Sequence, residues 1–466
     1  MLKQLKEPSR RDFLKTTVAA GVVASPYLIP RSVLGNATQP GANETVKIAL
    51  IGLGGRCTGI YPADVKAAKG AKVVAVSDIL QTRIDRFMNR YKDFTPEQGF
   101  TDFRKMIEEA KPDAVMCETT THQRAWTVAH SIVRGCHVYI EKPIVLTIAE
   151  GRYLVKLARK HNVVTQCGSQ QRSLPLCLWA CEQVQNGRIG KIKEILAPNF
   201  VGPNKWTDQP GEPYKDGLTD ETWDAWLNQA AHRPFHPQLF YNWSNWWDYD
   251  AGGLCFGVSG WGTHSYDQIC MAIGMNDTGP TEILLEEPCT IQDSGKFQTH
   301  RPTDEETGAA YYHMAKVKGP RGKMTMWTKD GVAIKLHLDG DWGPGLGCIV
   351  VGEKGKIEIN RHKISSNPKE IAEEGMKEHR NTRSETVYHV ENWIECIKSG
   401  KKANADIEIG QRATSFCELV NIVRETAPVG EKIGWEPANE KFVGNDKGNE
   451  MLSRPRRKGY ELPELS

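Results

Sequence analysis

The sequence predicts an α/β fold: an N-terminal Rossmann-type, doubly wound parallel sheet followed by an α+β domain with a large, mostly antiparallel open sheet. Three observations carry this. The apolar run Val46 to Ile51 leads straight into the glycine turn Gly52-Leu53-Gly54-Gly55, and a short continuous apolar run suits a parallel strand covered on both faces. Short apolar runs then alternate with helical patterns, as parallel sheets require. Beyond residue 300, runs such as "GKMTMWTK", "VAIKLHLDG" and "GCIVVGEKGKIEINR" alternate with turn residues, the pattern of consecutive antiparallel strands.

At 466 residues the chain exceeds one typical core of about 150 residues. The expected division is 1–42, a signal and linker; 43–167, a dinucleotide-binding domain; and 168–466, a substrate and oligomerisation domain with a C-terminal tail. Net charge is only +3, with no basic stripe, so no nucleic-acid partner is expected. The tail "RPRRKG" is the one locally cationic stretch and is expected to be solvated.

The first forty residues have their own texture. "SRRDFLK", with Arg10 and Arg11 paired and Phe13 and Leu14 following, precedes "TTVAAGVVASPYLIP". That run is too short and too weakly apolar to span a bilayer. The order of charge, apolar run and small residues resembles a twin-arginine export signal, with cleavage near Ala37 to Ala42. A periplasmic or otherwise exported location and no stable membrane anchoring are the expectations. The twelve cysteines are scattered without a Cys-x-x-Cys pair, as expected of buried free thiols, and no metal site is predicted.

In the glycine turn, Gly52 permits a tight bend, Gly54 permits close approach of a pyrophosphate, and the following helix N-terminus, at Gly55, offers free N–H groups to an anion. Cys57 stands where the fingerprint has a third glycine. A second apolar run, "AKVVAVSD", ends at Asp78, about where a carboxylate accepts hydrogen bonds from the ribose. An acid there repels a 2′-phosphate, so the expected cofactor is NAD, with NADP less favoured. "PDAVMCETTT" reads as a third strand, "HQRAWTVAHSIVRG" as a helix closed by Gly135, and "HVYIEKP" as the next strand. Glu141 and Lys142 interrupt its apolar run, and charges in such a setting need a partner or a use. The segment 201–250 is dense in aromatics, among them Trp206, Trp223, Trp226, Tyr241, Trp243, Trp246, Trp247 and Tyr249. These pack a core or stack on sugar rings.

Together the glycine turn, "IEKP", "WDAWL" to "NWWDYDAGG", "GWGTHSYD" and "FVGNDKGNEMLSRPRR" resemble the Gfo/Idh/MocA family of glucose-fructose oxidoreductase and inositol dehydrogenase relatives. The resemblance implies that Lys142 stands beside the nicotinamide and the reacting sugar carbon, with Glu141 balancing its ammonium and Pro143 fixing the backbone. It implies that His264 faces the substrate hydroxyl. Asp267, three residues on, shares a helix face with it and is placed to orient the imidazole or contact a hydroxyl. His122 and Arg172 are carried over as residues near the cofactor or substrate. Many members have an aspartate four residues before the histidine, where this chain has Gly260; the contact that carboxylate supplies is missing here, or Asp267 or Asp250 replaces it. The implied activity is hydride transfer between a secondary alcohol of a sugar or polyol and a tightly bound NAD. The alternative is NAD-dependent glycoside hydrolysis by transient oxidation, elimination, hydration and re-reduction. A sugar, polyol or glycoside is the expected small-molecule partner, and a homo-oligomer formed through the open sheet face the expected assembly.

Overall fold

The computed structural model describes residues 45–253, 257–294, 318–338 and 344–465. The export-signal segment lies outside them, as does most of "AAYYHMAKVKG", a further run whose pattern predicts a strand. Strand β1 (Val46–Ile51) is followed by the helix Gly55–Ile60, then β2 (Ala71–Ser77), the helix Gln81–Arg90, the short β3 (Gly99–Phe100), the helix Phe103–Ala110 and β4 (Ala114–Cys117). The helix Thr121–Ile132, β5 (His137–Ile140), the helix Ile148–Lys160 and β6 (Thr165–Cys167) complete this part. The six strands pair in parallel in the order β3-β2-β1-β4-β5-β6. Strand order reverses direction between β1 and β4, and it is outside the carboxyl ends of strands at such a switch point that open α/β sheets bind ligands.

The central strands β1, β4 and β5 are almost wholly buried, as their unbroken apolar runs required. Strand β5 ends at Ile140, so Glu141, Lys142 and Pro143 lie just past it at the sheet's ligand-facing edge. Cys57, in the third glycine's place, is buried among Leu50, Ile60, Val76 and Tyr139.

The second sheet is mixed and mostly antiparallel. It comprises β7 (Ile192–Pro198), β8 (Glu282–Leu285), β11 (Met324–Trp327), β12 (Ala333–Leu338), β13 (Cys348–Gly352), β14 (Lys356–Asn360), β15 (Lys363–Asn367), β16 (Lys432–Glu436) and β17 (Lys441–Val443), in the order β15-β14-β13-β7-β12-β11-β8-β16-β17. Among the described residues of this sheet, β7 and β12 are the one pair that runs parallel. Strands β9 (Thr290–Asp293) and β10 (Lys318–Arg321) form a separate ribbon. The helices Pro175–Gln185, Thr263–Ala272 and Ile407–Thr426 share one core with the buried face of this sheet.

The helix Ile407–Thr426 buries fifteen of its residues on all sides, the signature of a helix enclosed rather than lying on a surface. It packs against Ile148–Lys160 of the Rossmann part and Thr263–Ala272 of the second part, joining two cores. Both parts belong to one compact unit, Val46–Ser466.

Candidate active site

A cavity of about 1660 Å³ opens at the carboxyl ends of β1, β2, β4 and β5. It brings together Gly52, Gly54 and Gly55 from the glycine turn, Asp78, Glu118, Glu141 and Lys142 from the strand ends, and Asp250, Ser259 and His264 from the second part of the chain.

The glycine turn is shaped by contact on one side and space on the other. Gly52 has φ +90°, and a Cβ there would lie 2.9 Å from the Thr119 amide nitrogen and 3.0 Å from the Glu118 carbonyl carbon. A Cβ on Gly54 or Gly55 would meet no atom within 4 Å. Asp78 is fixed beside them: the Leu53 amide donates to its Oδ2 at 2.9 Å and the Leu80 amide to its Oδ1 at 3.0 Å. Each carboxylate oxygen keeps acceptor capacity beyond one such bond. Arg83 approaches Oδ2 at 3.7 Å and lies over the Phe240 ring. An open, glycine-edged cradle with an anchored carboxylate at its rim fits a dinucleotide.

Lys142 follows β5 and precedes a cis Pro143. Its Nζ donates to the carbonyls of Gly260 at 3.1 Å and Ser259 at 3.4 Å. Those carbonyls belong to the π-helical turn Val258–Gly262, which leads into Thr263–Ala272 and places His264 in its first turn. Single π-turns of this kind recur at functional sites. At Gly260, then, it is the backbone carbonyl that meets the lysine.

Glu141 balances more than the Lys142 ammonium. Its Oε1 accepts from Arg56 Nε at 2.9 Å and Gln170 Nε2 at 3.1 Å, and its Oε2 accepts from the Lys142 amide. Burial opposes its ionisation, but Arg56, Lys142 and Arg124 outweigh burial and hold this carboxyl below the usual range. Asp250 sits where Asp267 was expected. It accepts from the Ser259 hydroxyl and, at 3.2 Å, from the Gly253 amide. Burial pushes its carboxyl upward, opposed by Ser259, Thr121, Arg124 and Lys142.

Three expected site residues lie outside the cavity. Asp267 turns away from His264 and accepts two bonds at 2.8 Å from Arg172 Nε, and Arg172 Nη1 reaches Asn276 at 2.8 Å. Both members of this ion pair are buried; a residue three along the helix shares a face, but the arginine on the facing segment claims its carboxylate. His122 is fully buried, with its Nε2 on the Trp226 carbonyl at 2.8 Å and its ring between Trp226 and Tyr249. Burial lowers its pKa to about 3, so it is a neutral packing residue.

The aromatic segment divides in the same way. Trp223 and Trp226 stack at 4.8 Å within a small core with Phe235, Phe240 and Tyr249. Trp226 also lines the cavity, beside Tyr241 and Trp243. The tail is not solvated: Arg454 donates to the Trp247 carbonyl at 2.6 Å, Arg456 pairs with Glu150 and Arg457 with Asp224. Acids on other segments, Glu150 buried and Asp224 half-exposed, attract Arg456 and Arg457, and the tail brings Gly459 and Tyr460 to the cavity wall.

Arg56, Glu118 and Tyr460 are cavity residues that reasoning from the sequence missed. Arg56 and Glu118 had a local signal, since each immediately follows a strand-end motif. Tyr460 had none.

Residues 46–169 match the Gfo/Idh/MocA model, described as an oxidoreductase family with an NAD-binding Rossmann fold. The match is confined to the part of the chain that carries the parallel sheet. Similar curated proteins include the myo-inositol 2-dehydrogenase of Thermotoga maritima, 29% identical over 146 residues, which are 31% of this chain and 42% of that protein. Another is glycosyl hydrolase family 109 protein 2 of Akkermansia muciniphila, 26% identical over 218 residues, 40% of this chain and 45% of that protein. The chain spans less than half the length of these curated relatives. Among solved structures, the WlbA dehydrogenase of Bordetella pertussis in complex with NADH and UDP-GlcNAcA covers 85% of this chain and 99% of its own, with a TM-score of 0.57 at 15% identity. That likeness is one of fold.

Proposed function

We propose that this protein is an NAD-dependent oxidoreductase of the Gfo/Idh/MocA family acting on a secondary alcohol of a sugar or polyol. The observation that carries this is the meeting of Lys142 and His264, from different parts of the chain, in one cavity with the glycine turn and Asp78. The bound dinucleotide supplies the hydride acceptor. Gly52, Gly54 and Gly55 cradle its pyrophosphate and Asp78 receives its ribose hydroxyls. Lys142, aimed by the Ser259 and Gly260 carbonyls, holds the substrate oxygen and stabilises the developing alkoxide. His264 takes the hydroxyl proton as general base. Asp250, whose carboxyl feels the Lys142 charge, replaces the acid lost at Gly260. Tyr241 and Trp243 give the cavity an aromatic wall suited to sugar C–H faces.

A division into residues 43–167 and 168–466, export through the twin-arginine pathway, and a homo-oligomer belong to the same reading. An exported enzyme meets little free dinucleotide, so its cofactor is retained and reset in each cycle. The 218-residue similarity to a family 109 glycosyl hydrolase favours a second reading, in which the substrate is a glycoside and no net oxidation occurs.

The test is to purify the chain without added cofactor, denature it and identify released dinucleotide by mass spectrometry. Near-stoichiometric NAD or NADH is expected; an empty protein that binds NAD weakly would overturn the retained-cofactor reading. Product analysis then separates the two chemistries, a ketone or lactone against a freed aglycone. Lys142→Ala should lower turnover by roughly a hundredfold to a thousandfold, the cost of one oxyanion-type donor, with NAD still bound. Near-normal turnover would sink the assignment.

A further inference from the structure

Glu118 follows β4 and lines the cavity directly against the glycine turn: its carbonyl carbon and oxygen are the atoms a Cβ on Gly52 would strike, at 3.0 and 3.1 Å. Its side chain is buried, and neither carboxyl oxygen has a hydrogen-bond partner among the described residues. A buried carboxyl in this state is costly unless something else completes it. The groups around it are Arg56 and Cys57 from the helix after the turn, Arg124 from the helix Thr121–Ile132, Tyr139, Glu141 and Lys142 from β5 and its end, and Cys117 beside it. Of the nearby cations, Arg56 is committed to Glu141, Lys142 to the Ser259 and Gly260 carbonyls, and Arg124 to the Thr119 and Pro143 carbonyls. Burial and then the neighbouring Glu141 push the Glu118 carboxyl well above its usual range, against the opposing pull of Arg56, Arg124 and Lys142.

We propose that Glu118 is a proton-holding residue linked to the oxidation state of the cofactor: it releases its proton when the oxidised dinucleotide, with its cationic nicotinamide ring, enters the cavity, and holds it when the reduced, neutral ring is bound. The inference rests on the NAD-dependent reading above. The balance closes within the site. Oxidation of a secondary alcohol passes two electrons and one hydrogen to the ring as hydride and frees the hydroxyl proton. Loss of the ring's positive charge lets Glu118 take up one proton in return. Reduction of a carbonyl runs the same transfers backwards. A cycle that oxidises and then re-reduces would therefore exchange no net proton with solvent.

The test uses the full chain, stripped of any copurifying dinucleotide, with NAD⁺ and NADH titrated separately by calorimetry in buffers of different ionisation enthalpy near pH 7. Binding of NAD⁺ should release about one proton per site and NADH none, and NAD⁺ affinity relative to NADH should rise about tenfold per pH unit in the window where free Glu118 is protonated. Glu118→Gln and Glu118→Ala should each abolish the difference. Equal proton counts for the two oxidation states of the wild-type chain would overturn the proposal, as would a difference that persists in the variants. If neither dinucleotide binds, the underlying cofactor reading falls as well, which separates the two failures.

Discussion

Single side chains in this protein are best understood by what claims them. Asp78 accepts bonds from two backbone amides, which hold its carboxylate at the cavity rim, and Arg83 stands 3.7 Å away. A carboxylate there favours ribose hydroxyls and disfavours a 2′-phosphate, while a released arginine would do the reverse. Asp78→Asn should therefore weaken NAD binding about tenfold or more, the usual worth of a charged hydrogen bond, and shift preference toward NADP. Titration of both dinucleotides checks this; an unchanged ratio would show that Asp78 only caps the turn. Glu418 is the opposite case, a buried acid whose pKa burial raises to about 8 against the pull of Arg454. A group that binds its proton more tightly when folded makes stability fall as pH rises from its unfolded value near 4.5 to its folded one. Urea unfolding across that range should show wild-type stability declining toward pH 8, and Glu418→Gln should flatten the decline.

At the scale of elements, the C-terminal segment acts as a strap. Arg454, Arg456 and Arg457 each bond to a different segment, and Tyr460 packs edge-on against Trp126. Arg456 and Glu150 are both largely buried, and breaking such a pair by removing one partner costs about 3–5 kcal/mol. Arg456→Ala should lose stability on that scale in chemical denaturation and loosen the cavity wall at Tyr460. A loss below about 1 kcal/mol would place the pair among weak surface bridges. The reading of this tail as solvated failed because charge density alone does not reveal buried acids elsewhere. Element identities fared better: β1, β2, β4, β5 and the β13–β14 hairpin lie where the apolar runs placed them, since such runs are local signals of burial on one or both faces.

Across the whole molecule, the nine-stranded sheet buries one face against helices, while the other presents alternating, half-exposed residues such as Leu196, Ile349 and Val351. That face mixes apolar residues with the Glu194–Lys335 pair, and such a half-buried, mixed face is where a second copy is expected to pack. Light scattering should give a mass of at least twice the monomer's, and Ile349→Lys should reduce it without abolishing dinucleotide binding. A monomeric wild-type chain would refute the assembly.

By itself, the sequence determined the class of fold, the glycine turn, Asp78 and the position of Lys142 past a buried strand, because each is written in contiguous residues whose geometry is local. Only the tertiary structure decided which charges meet. Glu141 bonds to Arg56, 85 positions away, as well as feeling its neighbour's ammonium, Asp267 is claimed by Arg172, and Asp250 reaches the cavity that Asp267 does not. Those choices depend on which segments packing brings within a few ångströms of a desolvated carboxylate, and spacing along one helix or strand cannot specify them.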